Sequence, residues 1–215
     1  MFPLLPSVRY FMVLALVFLA VLASVERVAA QTWVENGDAG DLPSSAQFTF
    51  GSGPITEIQG SLSSDSDVDM YCIKAAADHA IFAAMITCTV ISGNDIWIFH
   101  SNGPGLGLAR DRGCQTSQTL VGSPIVNAPG TYYLAISGHD ASAMSGVDAM
   151  WLLGVPASGQ VAPNGPGAAG GVTSWQGGVA NPVGAYTIHL VGAEFCDTPL
   201  PARPGTWGAT KVIYR

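Results

Sequence analysis

Turn residues cut this chain into short pieces, and no feature of the sequence limits its fold more. Pro129-Gly130 precedes the run 131–137 (TYYLAIS) and Gly138 closes it. The runs 81–90 (IFAAMITCTV) and 96–100 (IWIFH) are β-branched or aromatic and similarly bounded. Segments of this length between Gly, Pro, Asn, Asp and Ser clusters read as strands. Alternation places Phe82, Ala84, Ile86, Cys88 and Val90 on one face, and Tyr186, Ile188 and Leu190 on one face of another strand. Residues 68–75 and 147–153 add two more. No stretch carries a convincing apolar period of 3.6, so amphipathic helices are not expected. About eight such strands predict an all-β chain of two packed sheets, a sandwich or a jelly roll.

One long apolar run does not belong to this pattern. Residues 10–23 (YFMVLALVFLAVLA) follow Arg9 and precede Val28-Ala29-Ala30. A positive start, an apolar centre and small residues before a cut define a secretory signal peptide. A spanning helix needs about 20 apolar residues, and Glu26 and Arg27 end this run early. The reading is a signal-peptide helix over residues 1–30, cleaved before Gln31. The β-sandwich then covers residues 31–197, and 198–215 form a Pro-rich linker and tail. The tail (TWGATKVIYR) is a frayed end or a last edge strand, or else a recognition tag for export or surface retention. No second run is long enough to span a bilayer, so no membrane span is expected in the mature chain. The destination is secreted, cell-surface or periplasmic.

Export bears on the cysteines. Cys72, Cys88, Cys114 and Cys196 all follow the leader, and an even count in an exported chain predicts two disulfides. Three pairings are possible. Cys88 ends one strand and Cys114 lies in the loop after the next, which favours Cys88–Cys114 and leaves Cys72 to pair with Cys196. No Cys-x-x-Cys spacing supports a zinc site.

Charge narrows the partners. The chain has 8 basic and 15 acidic residues, a net −7. No basic cluster exists to neutralise phosphates, so nucleic acid is excluded as a partner. An acidic surface suits divalent cations instead. Asp65-x-Asp67-x-Asp69 resembles the start of a calcium loop, but Met70 and Ala76 stand where an EF-hand needs Gly and Glu. On a strand the three carboxylates would share a face. The alternative is a solvated turn in which Asp65 or Asp67 caps local amides.

No enzyme signature emerges. His79, His100, His139 and His189 are scattered without a His-Glu-x-x-His motif, and no serine lies in a Gly-x-Ser-x-Gly elbow. His139-Asp140 could form an acid–base pair, but Ser137 beside it reads as a strand-end residue. Of the tryptophans, Trp97 and Trp151 fall in strand patterns and read as core. Trp175 lies in residues 154–184, a Gly- and Pro-rich stretch that reads as a long loop. From there it could stack on a sugar or peptide.

Four motifs in order carry a family resemblance: Glu35-Asn36-Gly37-Asp38, Asp67-Val68-Asp69-Met70-Tyr71, Gly130-Thr131-Tyr132-Tyr133 and Gly184-Ala185-Tyr186-Thr187. Together they resemble the bacterial pre-peptidase C-terminal domain, over about residues 33–196. The resemblance implies a two-sheet sandwich of jelly-roll type, a non-catalytic accessory module of secreted proteins. It also implies calcium binding through Glu35, Asn36, Asp38, Asp67 and Asp69. The expected function is therefore a secreted or cell-surface module for adhesion, macromolecule binding or a structural role. Its partner would be an extracellular macromolecule or a cell-surface component. The alternatives are a calcium-dependent carbohydrate-binding module using Trp175 and, further off, a secreted hydrolase.

Overall fold

A computed structural model describes residues 31–75, 82–87, 94–101, 105–111, 118–121, 126, 128–152, 160–177 and 183–196. The leader, Cys88, Cys114, His79 and the tail lie outside them. The described residues contain strands and turns and no helix.

The strands are β1 Thr32–Val34, β2 Gln47–Phe48, β3 Glu57–Leu62, β4 Val68–Ala75, β5 Ala83–Thr87, β6 Asn94–His100 and β7 Leu106–Asp111. They continue as β8 Gln118–Val121, β9 Gly130–Gly138, β10 Ala141–Ser145, β11 Asp148–Ala149, β12 Ser174–Gly177, β13 Gly184–Val191 and β14 Ala193–Phe195. One sheet runs β1-β3-β13-β5-β8, and a second runs β14-β4-β9-β6-β7 with β2 also paired to β4. A small third sheet runs β11-β10-β12. Most pairs are antiparallel; β1–β3 and β2–β4 are parallel. The all-β sandwich expected from the sequence is the fold observed.

Side-chain alternation explains how the layers stack. Ile58, Ala84, Ile86, Tyr186, Ile188 and Leu190 of the first sheet share one core with Tyr71, Ile73, Ile96, Ile98, Tyr132, Leu134 and Ile136 of the second. The opposite face of the second sheet is covered too. Val68, Met70, Trp97, Phe99 and Ala135 pack there against Ala143, Met150, Trp151 and Val172. Burial on both faces makes β4, β6 and β9 nearly continuous apolar runs, whereas β13 alternates cleanly. Trp97 and Trp151 are core residues, as their strand-like surroundings indicate.

Three local expectations change. The region 147–153 holds only the two-residue strand β11, because Met150 and Trp151 turn inward to the second core. The stretch 154–184 is not loop throughout: β12 lies within it, and its Trp175 pairs in register with Ala143 of β10. Asp65, Asp67 and Asp69 do not share a strand face, since β4 starts only at Val68 and holds Asp69 alone of the three.

Cys72 and Cys196 are bonded, tying β4 to the residue after β14, with Cα atoms 5.5 Å apart. Thr49 secures the same corner. Its buried hydroxyl donates to the Cys72 carbonyl at 2.8 Å and accepts from the Cys196 amide at 2.9 Å. The Cys88–Cys114 pairing falls outside the described residues.

Candidate functional site

The opening acidic segment meets β4 at one end of the sandwich. Parallel pairing of β1 with β3 sets Val34 opposite Gln59, and the Glu35 amide then donates to the Gln59 carbonyl at 2.8 Å. The Glu35 side chain extends the link. Its carboxylate accepts from the Ala39 amide at 2.9 Å and from the Ser61 amide at 2.8 Å. These bonds fold residues 35–39 into a tight loop that presents Asp38.

Asp69 approaches from inside. Odd-numbered residues of β4 face the core between the two large sheets, so Asp69 shares a face with Tyr71 and Ile73. It is 0% exposed. Tyr186 donates to Asp69 Oδ2 at 2.6 Å. The Tyr71 and Tyr186 hydroxyls are also 2.6 Å apart, and since Tyr186 spends its proton on Asp69, Tyr71 donates to Tyr186. Gly60 makes room for this chain of hydroxyls. It lies opposite Tyr186 across the strands, and a Cβ there would stand 2.7 Å from the Tyr71 oxygen and collide with the Tyr186 hydroxyl.

The other oxygen, Asp69 Oδ1, is buried and has no hydrogen-bond partner. Carboxylate oxygens of Glu35, Asp38 and Asp69 all lie within 4.8 Å of one another. Burial is the main cause lifting the Asp69 carboxyl to about 8 from a reference of 3.8; the charges of Glu35, Asp67 and Asp38 add to it, and the Tyr186 hydrogen bond opposes it. Tyr71 and Tyr186 are raised for the same first reason, burial.

Three of the five expected calcium ligands therefore converge: Glu35, Asp38 and Asp69. Asp67 turns away. It is 8% exposed, and its Oδ2 accepts from the Ser63 amide, capping the turn before β4. Asn36 is engaged through its main chain, with both polar groups bonded to the Gln47 side chain at 3.1 Å. Ligands on one calcium sit at 2.3–2.6 Å from the ion, so two of them lie at most about 5 Å apart. The Glu35–Asp38–Asp69 set meets that limit, and the orphan Oδ1 is the kind of atom that a cation would satisfy. The residues fit a hard divalent ion.

The remaining candidates have structural partners. The Ser137 hydroxyl accepts from Trp97 Nε1 at 2.8 Å and donates to the Gly138 carbonyl at 3.0 Å, as a strand-end serine would. His139 lies 3.4 Å from buried Asp95 and 3.8 Å from Asp140. His189 pairs with Glu57 at 3.2 Å on the outer face of β13. His100 packs its ring on Tyr132. Trp175 is half-buried rather than displayed on a loop, with its indole N–H bonded to the Asp41 carbonyl at 2.7 Å.

Sequence reasoning missed Tyr186 as a partner of Asp69. The available signal was Gly60, a glycine between Ile58 and Leu62 of β3, since a glycine inside a strand marks a close approach by something else. No family model matches the chain, and no match emerges from comparison with curated proteins.

Proposed function

We infer that this chain is a non-catalytic extracellular β-sandwich module, of the pre-peptidase C-terminal kind, which binds a macromolecule outside the cell and is braced by calcium at Glu35, Asp38 and Asp69. One observation carries the calcium reading: Asp69 is buried with its Oδ1 unpartnered, and its carboxylate lies within 4.8 Å of those of Glu35 and Asp38. A buried acceptor left unmade costs about 1–3 kcal/mol, more when charged, so the fold has reason to hold a partner there. A bound ion would also offset the mutual repulsion of the three carboxylates. Calcium suits the site better than magnesium, because the ligands come from a loop and a strand and need not meet octahedral geometry.

The extracellular placement draws on the leader and on the Cys72–Cys196 bond, which belongs to an oxidising compartment. The non-catalytic reading draws on the missing nucleophile motif and on Ser137, whose hydroxyl is consumed by Trp97 and Gly138.

Thermal unfolding in chelator and in calcium tests the proposal. An ion that binds only the folded state adds about 2.7 kcal/mol at a hundredfold excess over Kd, or roughly 5–10 °C for a chain of this size. Asp38→Asn is the decisive variant, since Asp38 is exposed and its loss should leave the fold intact. It should blunt the calcium response. Identical melting curves with and without calcium would overturn the calcium reading.

A further inference from the structure

A second feature lies beside the acidic cluster. Residues 40–45 and strand β12 border a cleft of about 600 Å3, whose walls include Asp41, Leu42, Ser66, Ser174 and Trp175. The aromatic wall is fixed. The Trp175 ring packs edge-to-face against Trp97 at 5.3 Å and Phe99 at 6.1 Å between centroids, both buried. Its indole N–H holds the Asp41 carbonyl, so the same ring also fixes the opposite lip.

The cleft's polarity selects the ligand. Among the described residues, Asp41 is its one charged lining residue. Burial and the nearby charges of Asp67 and Asp38 hold the Asp41 carboxyl above its ordinary range. Among the described residues, no lysine or arginine pairs with Asp38, Asp41 or Asp67. The charges that the described residues place at the cleft are therefore negative, which disfavours phosphates and acidic sugars. A neutral sugar would need free hydroxyl partners, and two of those in the wall are taken. Thr173 Oγ1 accepts from the Gly146 amide and donates to the Met144 carbonyl, while Ser45 Oγ bonds both main-chain groups of Leu42. A carboxylate and an aromatic ring lining one cleft are the pair of groups that attracts an organic cation. A single ring rather than a cage, with a carboxylate to accept hydrogen bonds, suits a primary over a quaternary ammonium.

Resting on the binding-module reading, we propose that this cleft receives a primary ammonium group, as on a lysine side chain of the partner, with Asp41 as counter-ion and Trp175 as the stacking face. The test follows the Trp175 indole N–H in 1H–15N spectra, its peak identified by loss in Trp175→Phe. The probes are Nα-acetyl-lysine methylamide, choline, maltose and potassium chloride, at matched ionic strength and in chelator. The lysine amide should shift the peak saturably, and Asp41→Asn should weaken that binding roughly three- to tenfold. This variant keeps the lip in place, because the main-chain carbonyl of Asp41, not its carboxylate, holds Trp175. No saturable shift, an equal shift with potassium chloride or maltose, tighter binding of choline, or an effect unchanged by Asp41→Asn would each overturn the proposal. The chelator makes the titration independent of calcium, so failure at Glu35–Asp38–Asp69 and failure at the cleft give separate results.

Discussion

Asp69→Asn should change how stability depends on pH, and the sign can be worked out. The Asp69 carboxyl rises from a reference of 3.8 to about 8 on folding, chiefly through burial. Between those values the folded chain holds a proton that the unfolded chain has released. The stabilisation is fully present below the unfolded value of 3.8 and is lost as pH rises through the folded value near 8. Each pH unit inside that window removes up to about 1.4 kcal/mol, so pH 5 to 7 costs roughly 2–3 kcal/mol without metal. Most carboxylates in proteins act in the opposite direction. An asparagine is neutral throughout, and its carbonyl can still accept from Tyr186. The difference between wild type and Asp69→Asn isolates this one group from all other titrations. Urea unfolding in chelator at half-unit steps from pH 4.5 to 8 measures it. Relative to the variant, wild type should lose stability steadily as pH rises. Calcium should flatten that slope, because the ion stabilises the ionised carboxylate. A difference that stays constant or grows in favour of wild type with rising pH would refute the argument that Asp69 is buried without a compensating charge.

Two further outcomes test the packing around the cluster. Gly60→Ala places a methyl against the Tyr71 and Tyr186 hydroxyls and should cost about 1–3 kcal/mol in urea unfolding; a neutral result would mean that the hydroxyl chain is not packed over Gly60. Replacing Cys72 and Cys196 together by Ala opens a link across 124 residues and should cost about 3–5 kcal/mol by the chain-entropy argument, read as a lower unfolding midpoint under non-reducing conditions.

What the residues disclose in advance follows their periodicity. Strand β13 alternates because its outer face meets solvent, so its inward set of Tyr186, Ile188 and Leu190 is legible directly. The limits of β4, from Val68 to Ala75, are equally legible. Its faces are not, because both are buried, and a run apolar on both sides does not say which side meets which layer. The third sheet was hidden for a related reason. Strand β12 is four residues of Ser, Trp, Gln and Gly, with weak strand propensity, and it is ordered by pairing with β10 and by Trp175 on the Trp97 and Phe99 rings. In the acidic segment, spacing groups Asp65, Asp67 and Asp69 on one strand face, but only Asp69 lies on β4. A turn amide captures Asp67 before the strand begins, while the pleat carries Asp69 inward to a tyrosine 117 residues away in sequence. Contacts of that separation leave no local pattern.

The acidic cluster differs from a chance gathering of surface carboxylates because two of its members, Glu35 and Asp69, are built into the fold. Strand β1 is only three residues long and pairs with β3 along one edge. Beyond that short ladder, Glu35 anchors the opening segment through its main-chain amide and two carboxylate hydrogen bonds. Asp69, from the other sheet, is held by a hydroxyl chain that crosses the core through Tyr186 of β13. An ion shared by Glu35, Asp38 and Asp69 would therefore join the first strand, the loop after it and the second sheet at one point. Metal binding and closure of this end of the sandwich would be one event. Residues 40–45, which continue directly from that loop to the lip of the Trp175 cleft, would be steadied by the same ion. Asp38 sits in both fields: it adds negative charge at Asp69 and at Asp41. Loading the cluster should thus order the cleft while partly neutralising it, two effects of opposite sign on an ammonium ligand. Repeating the indole titration in calcium shows which dominates: tighter lysine-amide binding than in chelator means that ordering of the lip outweighs the lost charge, and weaker binding means the reverse.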